Sequence, residues 1–118
     1  MKESIVEQKA FEFALCAVDV YKNLLKKNEW VFSRQFVRSA TSIGANISEA
    51  QAGQSKRDFA AKMSIASKEA REVVYWIRVL KYAQFLDYDY TPLQAKAEEL
   101  VRLLTAIVKT TQSNLKKK

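Results

Sequence analysis

The sequence predicts an all-α protein, an antiparallel up-down-up-down four-helix bundle, with residues 1–118 forming a single domain. Three observations predict it. Two glycines and one proline in 118 residues are too few for a strand-rich chain, which needs turn residues about every 8–12 positions. Ala, Leu, Lys, Glu and Gln, all good helix formers, are abundant. Apolar residues recur at alternating spacings of three and four in four segments separated by short breaks.

The first helix is predicted from about Ser4 to Lys27, with Phe11, Ala14, Val18, Tyr21 and Leu25 as its apolar face. Lys26 and Lys27 in its last turn suit the helix dipole, and Asn28 stops it. The second runs from about Ser33 to Ala52, with a seam of Phe36, Ala40, Ile43, Ile47 and Ala50 and Gly53 as its C-terminal cap. The third opens at Ser55, with Asp58 three residues on in a capping-box arrangement. Its seam is Phe59, Met63, Ala66, Ala70, Val73, Ile77 and Leu80, and it extends toward Phe85 or Leu86. At 1.5 Å per residue such a helix is about 45 Å long.

The stretch Asp87-Tyr88-Asp89-Tyr90 has no helical stripe and reads as a loop. Thr91-Pro92-Leu93-Gln94 opens the fourth helix, with Thr91 as N-cap, Pro92 at the first helical position and Gln94 closing a capping box. Leu93, Ala97, Leu100, Leu104, Ile107 and Thr111 form its seam. The tail from about residue 114 to 118 is expected to be disordered.

Composition excludes several chemistries. The chain has no histidine, so a His-based triad, His base or His metal ligand is absent. Its one thiol, Cys16, rules out an intramolecular disulfide and a paired-cysteine metal motif, and is expected to be a small buried side chain. Trp30 and Trp76 are expected to be packing anchors. No phosphate-binding glycine loop is present, because Gly44 and Gly53 lack the spacing. No apolar run reaches a membrane span and the polar N-terminus does not resemble a signal peptide, so a cytoplasmic location is expected. No metal or cofactor is expected.

Two polar constellations stand out. On the second helix Gln35, Arg38, Ser42, Asn46 and Glu49 share one face beside the apolar seam. Such a row is expected to be a structural network at the edge of the bundle or in a protomer interface, with an acid–base or anion-binding role as the rival. On the third helix Arg57, Lys68, Arg71, Tyr75, Arg78 and Tyr82 form an outer stripe. Cations neutralise phosphates and interleaved aromatics stack on bases, so this stripe is a candidate nucleic-acid surface. Local pairing of Lys68 with Glu72 and of Arg78 with Tyr82 is the competing reading. The net charge is +7, and Lys116, Lys117 and Lys118 supply three of those charges. Residues 91–118 carry six cations and two anions.

The stretch Gln35 to Glu49, QFVRSATSIGANISE, resembles the signature of the four-helix bundle family first described from 23S ribosomal RNA intervening sequences. Gln35, Arg38, Ala40, Ser42, Ile43, Asn46, Ile47 and Glu49 match that signature, and Ala50 stands where its closing glycine falls. Ser55, Asp58, Phe59, Ile65, Ala66, Glu69, Glu72 and Trp76 match the continuing pattern. The resemblance implies a small bacterial bundle that assembles as a homopentamer. It also implies kinship with the accessory protein of diversity-generating retroelements, which binds nucleic acid and a reverse transcriptase. The combined expectation is a non-enzymatic basic oligomer that binds RNA or DNA through phosphate contacts at the third-helix stripe and the lysine tail. The alternative expectation is a scaffold that docks a reverse transcriptase or another protein.

Overall fold

The computed structural model describes residues 4–117, which form four helices and no strand. They are α1 (Ile5–Lys26), α2 (Val31–Gln51), α3 (Lys56–Ala83) and α4 (Thr91–Lys116). Each packs against two neighbours, α1 with α2 and α4, and α3 with α2 and α4. The result is a four-helix bundle elongated to 53 × 25 × 22 Å.

The helix ends follow local chemistry. The Ser4 hydroxyl accepts from the Glu7 N–H at 3.2 Å, and the Ser55 hydroxyl accepts from the Asp58 N–H at 3.0 Å. Each satisfies one of the four N–H groups that a helix start leaves unpaired. Asn28 and Gln84 adopt left-handed backbone angles (φ 62° and 59°) and reverse the chain after α1 and α3. α3 therefore stops at Ala83, short of Phe85.

One predicted helix start and two predicted caps are corrected. α2 begins at Val31 rather than Ser33, because the buried Glu29 carboxylate accepts from the N–H groups of Val31, Phe32 and Ser33 at 3.0, 3.1 and 2.7 Å. A carboxylate there also meets the positive end of the helix dipole. Gly53 is not a left-handed cap: α2 ends at Gln51 with Ala52 capping, and Gly53 has no positive φ. Its small size still matters, since a Cβ would lie 3.0 Å from the Ala50 carbonyl oxygen. Thr91 is the first helical residue of α4 rather than its cap. The Asp89 carboxylate accepts from the Thr91 N–H at 3.0 Å and takes that role. Hydrogen bonding by Thr91, through its side chain first and its backbone N–H second, holds the Asp89 carboxyl below its usual range.

The core confirms the seams of α2 and most of those of α3 and α4. Phe36, Ala40, Ile43 and Ile47 meet Met63, Ala66, Ala70, Val73, Ile77 and Leu80, with Leu93, Ala97, Leu100 and Leu104 closing the fourth side. Phe59 and Ile107 are only half-buried at its edge. The α1 prediction is displaced. The buried face is Val6, Ala10, Phe13, Ala17, Val20 and Leu24, one residue back from the predicted stripe. One residue is 100° of helix rotation, so Phe11, Leu15 and Leu25 point outward, with Phe11 60% exposed. α1 is apolar over an arc wide enough to hold two stripes, and periodicity alone does not choose between them. Trp30 is likewise not a packing anchor but 59% exposed. Cys16 is half-buried rather than buried.

The tail is also corrected. α4 continues to Lys116, past the predicted fraying point near Asn114. Lys117 caps it, and Lys118 lies outside the described residues.

Two substitutions test the face of α1. Phe13→Ala should cost about 3–5 kcal/mol in urea unfolding, whereas Phe11→Ala in the monomeric chain should stay within about 0.5 kcal/mol. Equal losses would put the α1 rotation in error.

Candidate nucleic-acid interface

The six stripe residues of α3, Arg57, Lys68, Arg71, Tyr75, Arg78 and Tyr82, are all exposed. None of the four cations is in an ion pair among the described residues. The predicted local pairings are replaced by others. Glu72 does not pair with Lys68, because Arg38 of α2 takes it. The cation over the Tyr82 ring, 5.7 Å from its centre, is Lys81 rather than Arg78. Tyr75 sits edge-on to Trp76 with ring centres 5.2 Å apart. Trp76 in turn lies 6.4 Å from Phe32, and Phe32 lies 6.1 Å from Phe85. This chain of rings braces one side of the stripe.

The α2 row is partly taken into a network that joins α2 to α3. Arg38 donates to Glu72 at 2.7 Å and to Glu69 at 3.4 Å. The fully buried Ser39 hydroxyl also donates to Glu72, at 2.7 Å. The Ser39 bond, with Arg38 beside it, holds the Glu72 carboxyl below the usual range. Glu69 goes the other way. Its side chain is only 15% exposed, and burial pushes its carboxyl up. The Glu72 contact raises the Arg38 guanidinium further.

The rest of the row does not converge on Arg38. Ser42 donates to the Arg38 carbonyl at 2.7 Å and Asn46 to the Ser42 carbonyl at 2.8 Å, both within α2. Glu49 pairs with Lys62 of α3 at 2.8 Å, and Gln35 is exposed. Arg38 and Glu49 are thus engaged separately, not assembled into an acid–base pair.

The fold adds cations that the sequence reading passed over. Arg102, Lys109 and Lys116 are spaced one heptad apart on α4 and are all exposed. Arg71 reaches across to this helix and donates to the Thr105 hydroxyl at 3.1 Å. The heptad spacing and the excess of cations in residues 91–118 were the signals available. Among the described residues no group of three or more His, Cys, Asp or Glu is placed to hold a metal ion. No described helix is long and apolar enough to cross a membrane.

The model of the 23S rRNA-intervening sequence protein family matches residues 2–106. The chain belongs to that family. It is also similar to the crystal structure of a protein of unknown function from the S23 ribosomal protein family of Bacteroides thetaiotaomicron. The two are 41% identical with a TM-score of 0.85, over 89% of this chain and 99% of that one. No curated protein matches the chain. Within this family member, residues of the matching signature meet across two helices: Arg38 of α2 with Glu69 and Glu72 of α3.

The two carboxylates of that network should respond oppositely to pH. Glu72, with its lowered pKa, contributes stability that is present above the ordinary glutamate pKa and lost as the pH falls through its depressed value. Glu69, with its raised pKa, contributes stability that is present at low pH and lost as the pH rises through its elevated value. Glu72→Gln should therefore cost about 1 kcal/mol at pH 7, less in acid. Glu69→Gln should be neutral or stabilising at pH 7 and should abolish any gain on mild acidification. Urea midpoints at pH 7 and pH 5 read both; a large loss from Glu69→Gln at pH 7 would contradict the assignment.

Proposed function

We propose that this protein is a non-enzymatic, basic, oligomeric protein that binds RNA or another nucleic acid through phosphate contacts. The observation that carries the reading is the outer face of α3, where Arg57, Lys68, Arg71 and Arg78 are exposed and unpaired among the described residues beside the exposed rings of Tyr75 and Tyr82. Unpaired surface cations release counterions when they meet phosphates, and exposed rings stack on unpaired bases. Lys116 and Lys117 extend the charge at the end of α4, and Lys118 belongs to the same basic run. A non-enzymatic role is supported by the occupied carboxylates: Glu72 is held by Arg38 and Ser39, and Glu49 by Lys62. The family is named for the 23S rRNA intervening sequence, which is in keeping with an RNA ligand.

Self-association is part of the proposal. The outward stripe of α1, with Phe11, Leu15 and Leu25 at 60%, 54% and 41% exposure, is an apolar surface that a second copy would cover. A closed ring such as a homopentamer would bring the charge of each protomer into one field. A scaffold role is the second reading, favoured by one further observation. Trp30, Val31 and Phe32 are exposed at 59%, 70% and 37% where α2 begins, a surface suited to a protein partner such as a reverse transcriptase.

Two experiments separate these readings. Binding to a structured RNA should weaken steeply with salt, and an Arg71→Ala/Arg78→Ala double variant should lower the slope of log K against log salt by about 1–2. No binding at low salt would remove the nucleic-acid reading. Native mass measurement should show an oligomer that Phe11→Glu/Leu15→Glu dissociates; a monomer in the unmodified protein would remove the self-association proposal.

A further inference from the structure

We infer that the groove between α3 and α4 is a phosphate-binding site, and that it is the main seat of the phosphodiester backbone of a nucleic acid, with the crown of α3 adding weaker contacts beside it. The second half of this statement rests on the nucleic-acid reading above. The groove has a volume of about 430 Å3. Ser67 and Arg71 line it from α3, and Thr105, Lys109, Gln112 and Lys116 from α4. None of its eight lining residues is acidic. Arg71, Lys109 and Lys116 are free of ion pairs among the described residues.

The composition points to one chemistry. Three cations supply charge, and hydroxyl and amide groups supply neutral hydrogen-bond donors beside them. A protein-docking surface would be apolar or aromatic at its centre, whereas Val108 is the one apolar residue in this lining. Arg71 is aimed rather than loose. Its bond to Thr105 at 3.1 Å places the guanidinium over the groove, between the α4 turns that carry Arg102 and Lys109. A second hollow continues past Arg71 to Arg102 and contains one carboxylate, Glu98, which accepts from Gln94 at 3.5 Å.

Arg102, Lys109 and Lys116 repeat every seven residues, about 10.5 Å apart along a helix, so they line one flank of α4 with Thr105 and Gln112 between them. Lys109, Gln112 and Lys116 all follow the stretch that matches the family model, residues 2–106.

The test uses the full chain with inorganic pyrophosphate, an RNA hairpin and a DNA duplex as probes. Pyrophosphate should shift the backbone amide resonances of Ser67, Thr105 and Gln112, and Lys109→Gln/Lys116→Gln should abolish those shifts. The same double variant should lower the salt slope for the hairpin by about 2. Arg57→Gln/Arg78→Gln, on the crown of α3, should lower it less. Thr105→Val keeps every charge but frees Arg71; it should weaken hairpin binding severalfold with the salt slope unchanged, which identifies Thr105 as a positioning residue. Pyrophosphate shifts that are absent, or spread over all surface lysines, overturn the site. Hairpin binding that is unaffected by Lys109→Gln/Lys116→Gln overturns the groove as the backbone seat and leaves the nucleic-acid reading standing. Groove shifts with pyrophosphate and no binding of either nucleic acid support the phosphate site and overturn the nucleic-acid reading.

Discussion

Ser39 is fully buried where α2 meets α3, and a buried hydroxyl must find a partner. It finds Glu72, one helix away, and that bond fixes much else. A carboxylate drawn to the edge of an apolar seam needs compensating charge, and Arg38 supplies it from the adjacent position on α2. The pairing ties α2 to α3, where Ala40, Ala66 and Ala70 are fully buried. Glu69, drawn in one turn earlier, has one buried carboxylate oxygen with no partner. Burial raises its pKa, the neighbouring Glu72 adds to that, and Arg38 offsets part of it.

The same network sorts the charges on the outside. α3 carries seven cations and three anions, and a solvated helix would pair each anion with a neighbouring cation along its length. Here Arg38 withdraws Glu69 and Glu72 toward α2. Arg71, on the flank that faces α4, and Lys68 are left without acidic partners among the described residues. The bundle thus separates charge laterally: a neutralised polar seam on one side of α3 and a cationic groove on the other. Arg102, Lys109 and Lys116 of α4 meet this second side and reinforce it. A chain of net charge +7 concentrates its positive surface where helix rotation brings Arg71 beside the α4 cations.

Much of the fold was legible because seam and cap rules are local. Phe36, Ala40, Ile43 and Ile47 alternate by four and three, and such a stripe has only one way to be buried. Ser4 and Ser55 cap as their positions require. The failures share a cause. On α1 the apolar arc is wide, and which of two stripes turns inward depends on where α2 and α4 stand. At the start of α2 the cap is Glu29, a residue whose type is no strong N-cap signal. Of the candidate interface, the α3 half was visible as an Arg and Tyr stripe. The α4 half was visible only as three cations a heptad apart, which had no meaning until Arg71 was seen to reach Thr105.

Periodicity, the scarcity of glycine and proline, and the serine caps were enough to establish four helices and the inward faces of three of them, because those signals act within a few turns of chain. The pairing of Arg38 with Glu69 and Glu72, the outward turn of Phe11 and the joining of Arg71 to the α4 cations required the assembled bundle. Each depends on residues more than 30 positions apart, or on the orientation of a neighbouring helix. No local rule carries that information.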